Sequence, residues 1–279
     1  MTNAATLPAL VLLPGLDGTG KLFSEFVKDL RSSVDSVIVA YPNDQPLGYH
    51  ELDALVSAAL PRNRPFVLLG ESFSGPIAMR IAARSPAGLV AVVLCGTFAK
   101  NPFPWARWAR PLAAYLPLKS LPRWVRAPLM WGSASPQRAP AQKERAMTGV
   151  SPAVIRHRIA ALLAVDESAA LRRIRMPTLV LRGRGDRVIS LAATQWILKT
   201  LPGALLAEID GPHLLLQTRP AECAAVVLIN GQTRQFTTRF DKHVRFRTPP
   251  VVVRISANSE TEILNRKTRQ HQKPKRRII

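Results

Sequence analysis

Short, unbroken apolar runs alternate along this chain with stretches whose apolar residues recur every three or four positions. Ala9–Leu13 is such a run, and Leu22, Phe23, Phe26, Val27 and Leu30 follow at helical spacing. Val37–Ala40 is the next run, and Leu52, Leu55, Val56 and Ala59 mark the next helix. Phe66–Leu69 precedes a helix through Ile77–Ala83, and Leu89–Cys95 follows as a further run. The pattern resumes at Thr178–Leu181, continues with a helix over Leu191–Leu201 and a strand over Ala204–Ile209, and closes with a helix over about Ala221–Leu228. A run that is apolar at every position suits a strand buried on both faces. Strand and helix in strict alternation predict an α/β fold, a mostly parallel sheet with helices on both faces.

The alternation stops between Phe98 and Arg175. This stretch is rich in Pro, Arg and Trp, and it holds Trp105, Trp108, Trp124 and Trp131, four of the five tryptophans. Prolines 102, 104, 111, 117, 122 and 128 limit helices there to short pieces. Val154, Ile155, Ile159, Leu162 and Leu163 predict one longer helix. The expected organisation is a core of residues 1–97 and 176–230, with 98–175 inserted as a helical lid. The four tryptophans are candidates for lining an acyl pocket, against the simpler alternative that they pack the lid onto the core. After Asn230, Thr, Arg, Gln and Lys dominate, and only Val251-Val252-Val253 reads as a strand. Residues 231–279 are expected to form a basic, mostly disordered tail.

Charge adds a question that the pattern does not raise. The formal net charge is +21 over 279 residues, and nearly half of it lies after Asn230. Such a surface can attract nucleic acid, an anionic membrane or an acidic protein, or simply keep an Arg-rich chain soluble. No RNA-recognition, zinc or helix-turn-helix signature accompanies it, so nucleic acid is not the favoured partner. Cys95 and Cys223 sit in apolar settings without nearby ligand partners, as expected for buried thiols in a reducing compartment. No apolar run approaches the length of a membrane span, and Leu7–Pro14 is too short for a signal peptide, so the expected location is cytoplasmic.

The chemistry concentrates at Gly70-Glu71-Ser72-Phe73-Ser74-Gly75, directly after the Phe66–Leu69 run and before a helix. This arrangement puts the Ser72 hydroxyl on a sharp turn at the carboxyl end of a strand, near the positive end of the next helix. The fifth position is Ser74, with the glycine one place later; serine is small enough for the turn. A serine hydroxyl needs a base, and the base needs an orienting carboxylate. Of the five histidines, His50 precedes the serine strand, His157 lies in the lid helix, and His243 and His271 are in the tail. His213, in Asp210-Gly211-Pro212-His213, follows a late strand and is the expected base. Asp186, in the loop after Thr178–Leu181, is the expected carboxylate, with Asp210 and Asp166 as alternatives. Backbone N–H groups of Phe73 and of Leu16, in the loop Pro14-Gly15-Leu16-Asp17-Gly18-Thr19-Gly20, are the expected oxyanion donors. That loop has neither the P-loop ending nor dinucleotide-site spacing.

Pro14-Gly15-Leu16, the serine motif, Gly185-Asp186 and Pro212-His213, in that order, resemble the α/β-hydrolase family over roughly residues 8–229. Within it the chain is similar to small bacterial esterases and carrier-protein methyl-ester esterases. The resemblance implies an α/β-hydrolase fold, Ser72 as nucleophile, His213 as base, Asp186 as its partner, and no cofactor or metal. It departs in carrying Pro14 where the family often has histidine, and in leaving no room before Ala9 for the family's usual first two strands. The expected activity is hydrolysis of a carboxylic ester or thioester. Acyl transfer on the same site and a nucleic-acid or membrane interaction protein acting through the tail are the alternatives. A basic lid with Arg107, Arg110, Arg123 and Arg126 suggests an acidic acyl carrier protein as partner.

Overall fold

The computed structural model describes residues 8–30, 34–105, 130–131, 148–232, 252–255 and 261–264. Among the described residues, eight strands form one sheet: β1 (Ala9–Leu13), β2 (Ser36–Ile38), β3 (Phe66–Glu71), β4 (Leu89–Cys95), β5 (Thr178–Gly183), β6 (Leu205–Ile209), β7 (Val252–Ile255) and β8 (Thr261–Leu264). Their order is β2-β1-β3-β4-β5-β6-β7-β8, and every pairing is parallel except that of β7 with β8. The run expected at Val251-Val252-Val253 overlaps β7. That strand and β8 extend the sheet beyond β6, and the rest of 233–279 lies outside the described residues.

Helices among the described residues include α1 (Ser24–Asp29), α2 (Tyr49–Ala59), α3 (Gly75–Ala83), α4 (Pro152–Ala164), α5 (Ser168–Arg173), α6 (Leu191–Thr200), α7 (Leu215–Thr218) and α8 (Pro220–Gln232). Side chains alternate across the sheet and feed two separate cores. Ala9, Val11 and Leu13 of β1, with Phe66 and Leu68 of β3, pack against α2, α3, α5 and α6. Leu10 and Leu12 of β1, with Leu69 of β3 and Val93 of β4, pack against α1, α7 and α8. Two covered faces are the physical reason why these strands read as continuous apolar runs.

Within the stretch expected to be a lid, α4 begins at a Ser151 cap whose side chain accepts from the Ala153 N–H, with Pro152 in the first turn. Lys100 and Asp166 form an isolated bridge between the two ends of the insertion. Trp108, Trp124, Arg107, Arg110, Arg123 and Arg126 lie outside the described residues. Among the described residues, no helix is long and apolar enough to cross a membrane.

Candidate active site

Because β1, β3, β4, β5 and β6 run parallel, the loops that follow them share one sheet edge. In α/β sheets that carboxyl edge is where chemistry gathers. Ser72 directly follows β3 and holds φ +49°, a left-handed conformation rare for a residue with a side chain. The turn depends on two close approaches. A Cβ on Gly70 would stand 2.8 Å from both the Ala78 Cβ and the Ser74 carbonyl oxygen. A Cβ on Gly75 would stand 1.9 Å from the Thr97 hydroxyl oxygen. That hydroxyl donates to the Ser72 carbonyl at 2.5 Å, so the loop after β4 braces the serine from below.

The structure brings Ser72, His213 and Asp186 together. Ser72 Oγ lies 3.0 Å from His213 Nε2, and His213 Nδ1 lies 2.9 Å from Asp186 Oδ2. A carboxylate only accepts, so Nδ1 carries the ring proton of the neutral imidazole. Nε2 is then free to accept from the serine. Asp186 Oδ1 accepts the backbone N–H groups of Val188 (2.8 Å) and Ile189 (2.9 Å), which fixes the carboxylate plane. Both ring and carboxylate are buried. Two glycines let their loops meet: a Cβ on Gly183 would stand 2.4 Å from the Pro212 carbonyl oxygen, and the Gly185 N–H donates to Gly211 at 2.9 Å.

The other candidates are engaged elsewhere. Asp166 accepts from Ser168 and faces Lys100, and Asp210 is exposed, with its backbone carbonyl accepting from Arg219. His157 faces the start of α2, where a Cβ on Gly48 would meet its Nε2 at 3.5 Å; His243 and His271 lie outside the described residues. Leu16 is in the loop after β1, and a Cβ on neighbouring Gly15 would lie 3.9 Å from the Ser72 Cβ. Phe73 is fully buried and stacks on Tyr49 at 4.7 Å. Trp131 is buried against Leu214, the residue after His213. Trp105 is 80% exposed and meets Phe103 edge-on.

Three polar features escape a linear reading. Glu71, next to the serine, is buried, and burial pushes its carboxyl up to about 7. Gln217 Nε2 donates to it at 2.9 Å. Ser74 donates to the Pro14 carbonyl and lies 2.6 Å from the Tyr41 hydroxyl. The hydroxyl hydrogen of Ser74 is committed to a carbonyl, so Tyr41 is the donor in that pair. Burial holds the Tyr41 phenol well above its ordinary value, keeping it a neutral donor. The third is Arg158 of α4, which is wholly buried beneath the loop after β1. In the linear sequence they showed only as an acidic residue beside the serine, a serine at the fifth position of the motif, and an arginine on α4.

A sequence model described as the alpha/beta hydrolase family matches residues 10–226. The pimeloyl-[acyl-carrier protein] methyl ester esterase of Aromatoleum aromaticum is 27% identical over 242 residues, covering 79% of this chain and 96% of that protein. Among solved structures, the enol-lactonase of Burkholderia xenovorans LB400 superposes with a TM-score of 0.68 at 19% identity, over 83% of this chain and 92% of that one. A hydrolase from Pseudomonas aeruginosa PA01 superposes with a TM-score of 0.69 at 21% identity and the same coverage of each chain.

Proposed function

We propose that this chain, which belongs to the alpha/beta hydrolase family, cleaves carboxylic esters or thioesters through an acyl-enzyme on Ser72. The observation that carries the reading is the continuous chain from Ser72 Oγ through His213 to Asp186, with both contacts at hydrogen-bond distance. Ser72 Oγ attacks the acyl carbonyl while His213 Nε2 takes its proton. Asp186 holds the ring in the required tautomer and stabilises the imidazolium that forms. The negative charge reaching the carbonyl oxygen is met by the Leu16 and Phe73 N–H groups. Collapse expels the alcohol or thiol, which receives the proton from His213. Water then attacks the acyl-enzyme with His213 again as base, releasing the acid and the free serine.

A relative that acts on a carrier-protein methyl ester, matched over nearly its whole length, favours an acyl group presented by an acidic carrier protein. The strongly basic chain is suited to such a partner. The burial of Trp131 against Leu214, next to His213, supports a role for it as a wall of the acyl pocket.

The test is labelling by a fluorophosphonate probe together with turnover of a p-nitrophenyl ester series, for wild type and Ser72→Ala. Labelling and turnover in wild type that vanish in Ser72→Ala are expected. A folded wild type that neither labels nor turns over any ester overturns the reading.

A further inference from the structure

We propose that Arg158, with Ser74, sets the orientation of the loop that carries the Leu16 N–H, making a buried guanidinium on α4 a positioning residue for the oxyanion. This rests on the reading of Ser72 as nucleophile. The direction of the Leu16 N–H is the direction of the Gly15–Leu16 peptide plane, and that plane is held through its own carbonyl and those of the peptides on either side. The Pro14 carbonyl accepts from Ser74. The Gly15 carbonyl accepts the Gly18 N–H at 3.0 Å. The Leu16 and Asp17 carbonyls both accept from Arg158 Nη1, at 3.1 and 2.8 Å. The Gly18 carbonyl accepts the Tyr41 N–H at 2.7 Å. Five successive carbonyls are thereby fixed.

The two clamps share a support. Arg158 Nη2 donates to the Pro42 carbonyl at 2.9 Å, and Tyr41, one residue earlier, donates its hydroxyl to Ser74. The guanidinium also stands 5.5 Å from the centre of the Tyr41 ring. Its place is cut into the loop. Gly18 holds φ +72°, and a Cβ there would come within 2.3 Å of Nη1. Burial pulls the guanidinium down from its ordinary value while Tyr41 and Asp17 oppose the shift. An arginine remains charged through such a change. A planar group with several donors can span three carbonyls at once, which a single ammonium does less well.

Positioning of this kind has a signature that structural support lacks. A preorganised hole stabilises the transition-state oxygen, and sulfur in its place is larger and a poorer acceptor. Wild type is expected to prefer p-nitrophenyl butanoate over its O-aryl thiono analogue. Arg158→Met should lower kcat on the oxygen ester by about 30- to 100-fold, as for the misplacement of one donor. KM should move by less than about threefold, because the ground-state carbonyl gains little from the hole. The oxygen-to-sulfur preference should fall by about tenfold. Ser74→Ala should move the preference in the same direction by less, and Arg158→Lys should restore part of it. Hydrogen exchange of the peptide spanning residues 14–20 should quicken in Arg158→Met.

A loss of folded enzyme lowers both substrates alike and leaves the preference where it was. A folded Arg158→Met whose preference stays within about twofold of wild type overturns the inference. If that variant does not fold, an unchanged preference in both Ser74→Ala and Arg158→Lys overturns it equally. A wild type that labels with fluorophosphonate while these variants keep the preference sinks the positioning role alone. A wild type that neither labels nor turns over either substrate sinks the reading of Ser72 and the inference with it.

Discussion

Replacing Glu71 by Gln should remove a large share of the protein's loss of stability on going from mildly acid to mildly alkaline conditions. Glu71 is 3% exposed, and burial is the leading cause that lifts its carboxyl from 4.5 to about 7; the Asp17 carboxylate adds to the lift. The Gln217 amide, His213 and a hydrogen bond from the Gly15 backbone pull the other way. Between these two values the native chain holds a proton that the unfolded chain has released. Stability therefore falls as pH rises through the window. The displacement converts to about 3 kcal/mol in full, most of it lost between about pH 5 and about pH 8.5. The amide introduced by Glu71→Gln would keep an acceptor for the Gln217 Nε2 and bring a donor toward Gln217 Oε1, which is buried without a partner among the described residues. Urea unfolding of wild type and Glu71→Gln at those two pH values reads the effect as a difference of differences, so other titrating groups cancel. The variant should match wild type near pH 5 and exceed it by about 2–3 kcal/mol near pH 8.5. A difference between the two proteins that does not change with pH would refute the reasoning.

Asp186→Asn should keep the two backbone contacts through Oδ1 while presenting an N–H to His213 Nδ1, forcing the other tautomer. Single-turnover acylation should slow by about 10³–10⁴-fold with the fold intact, and a drop under about tenfold would count against Asp186 as the orienting group. Gly75→Ala would drive a methyl into Thr97, whose hydroxyl holds the Ser72 carbonyl. It should cost about 3 kcal/mol in urea unfolding and weaken fluorophosphonate labelling, and an unchanged unfolding midpoint would show that the approach is not tight.

The framework was legible because burial on both faces leaves a plain mark. β1, β3, β4 and β5 have no polar face, so their apolar runs are unbroken, and the helices between them keep one apolar stripe. The meeting of Ser72, His213 and Asp186 was legible for a related reason. A parallel sheet sends every carboxyl end to one edge, so the position of a loop in the strand order says which side chains meet there. α5 was not foreseen, since it spans only Ser168–Arg173 and shows too little periodicity to register. Arg158 and Glu71 were invisible as partners. Arg158 contacts Leu16 and Glu71 contacts Gln217 across well over a hundred residues, and no local pattern encodes such a pairing.

Ser74 shows how a departure from a motif can be misjudged when only its size is weighed. A glycine is needed in this turn where another backbone or side chain comes too near for a Cβ. Here that approach falls on Gly75, against Thr97, and on Gly70, against the Ser74 carbonyl. The fifth position is under no such constraint, and its hydroxyl reaches the Pro14 carbonyl with Tyr41 behind it. The loop after β1 carries Pro14 where the family often has a histidine, so it is held by contacts from outside itself. Ser74 supplies one of these and Arg158 another, and both end on carbonyls flanking the Gly15–Leu16 peptide. A serine in place of a glycine and a buried arginine on α4 are, in the proposed positioning, two parts of one device. Each looks like an irregularity in the sequence because its partner lies on a different element.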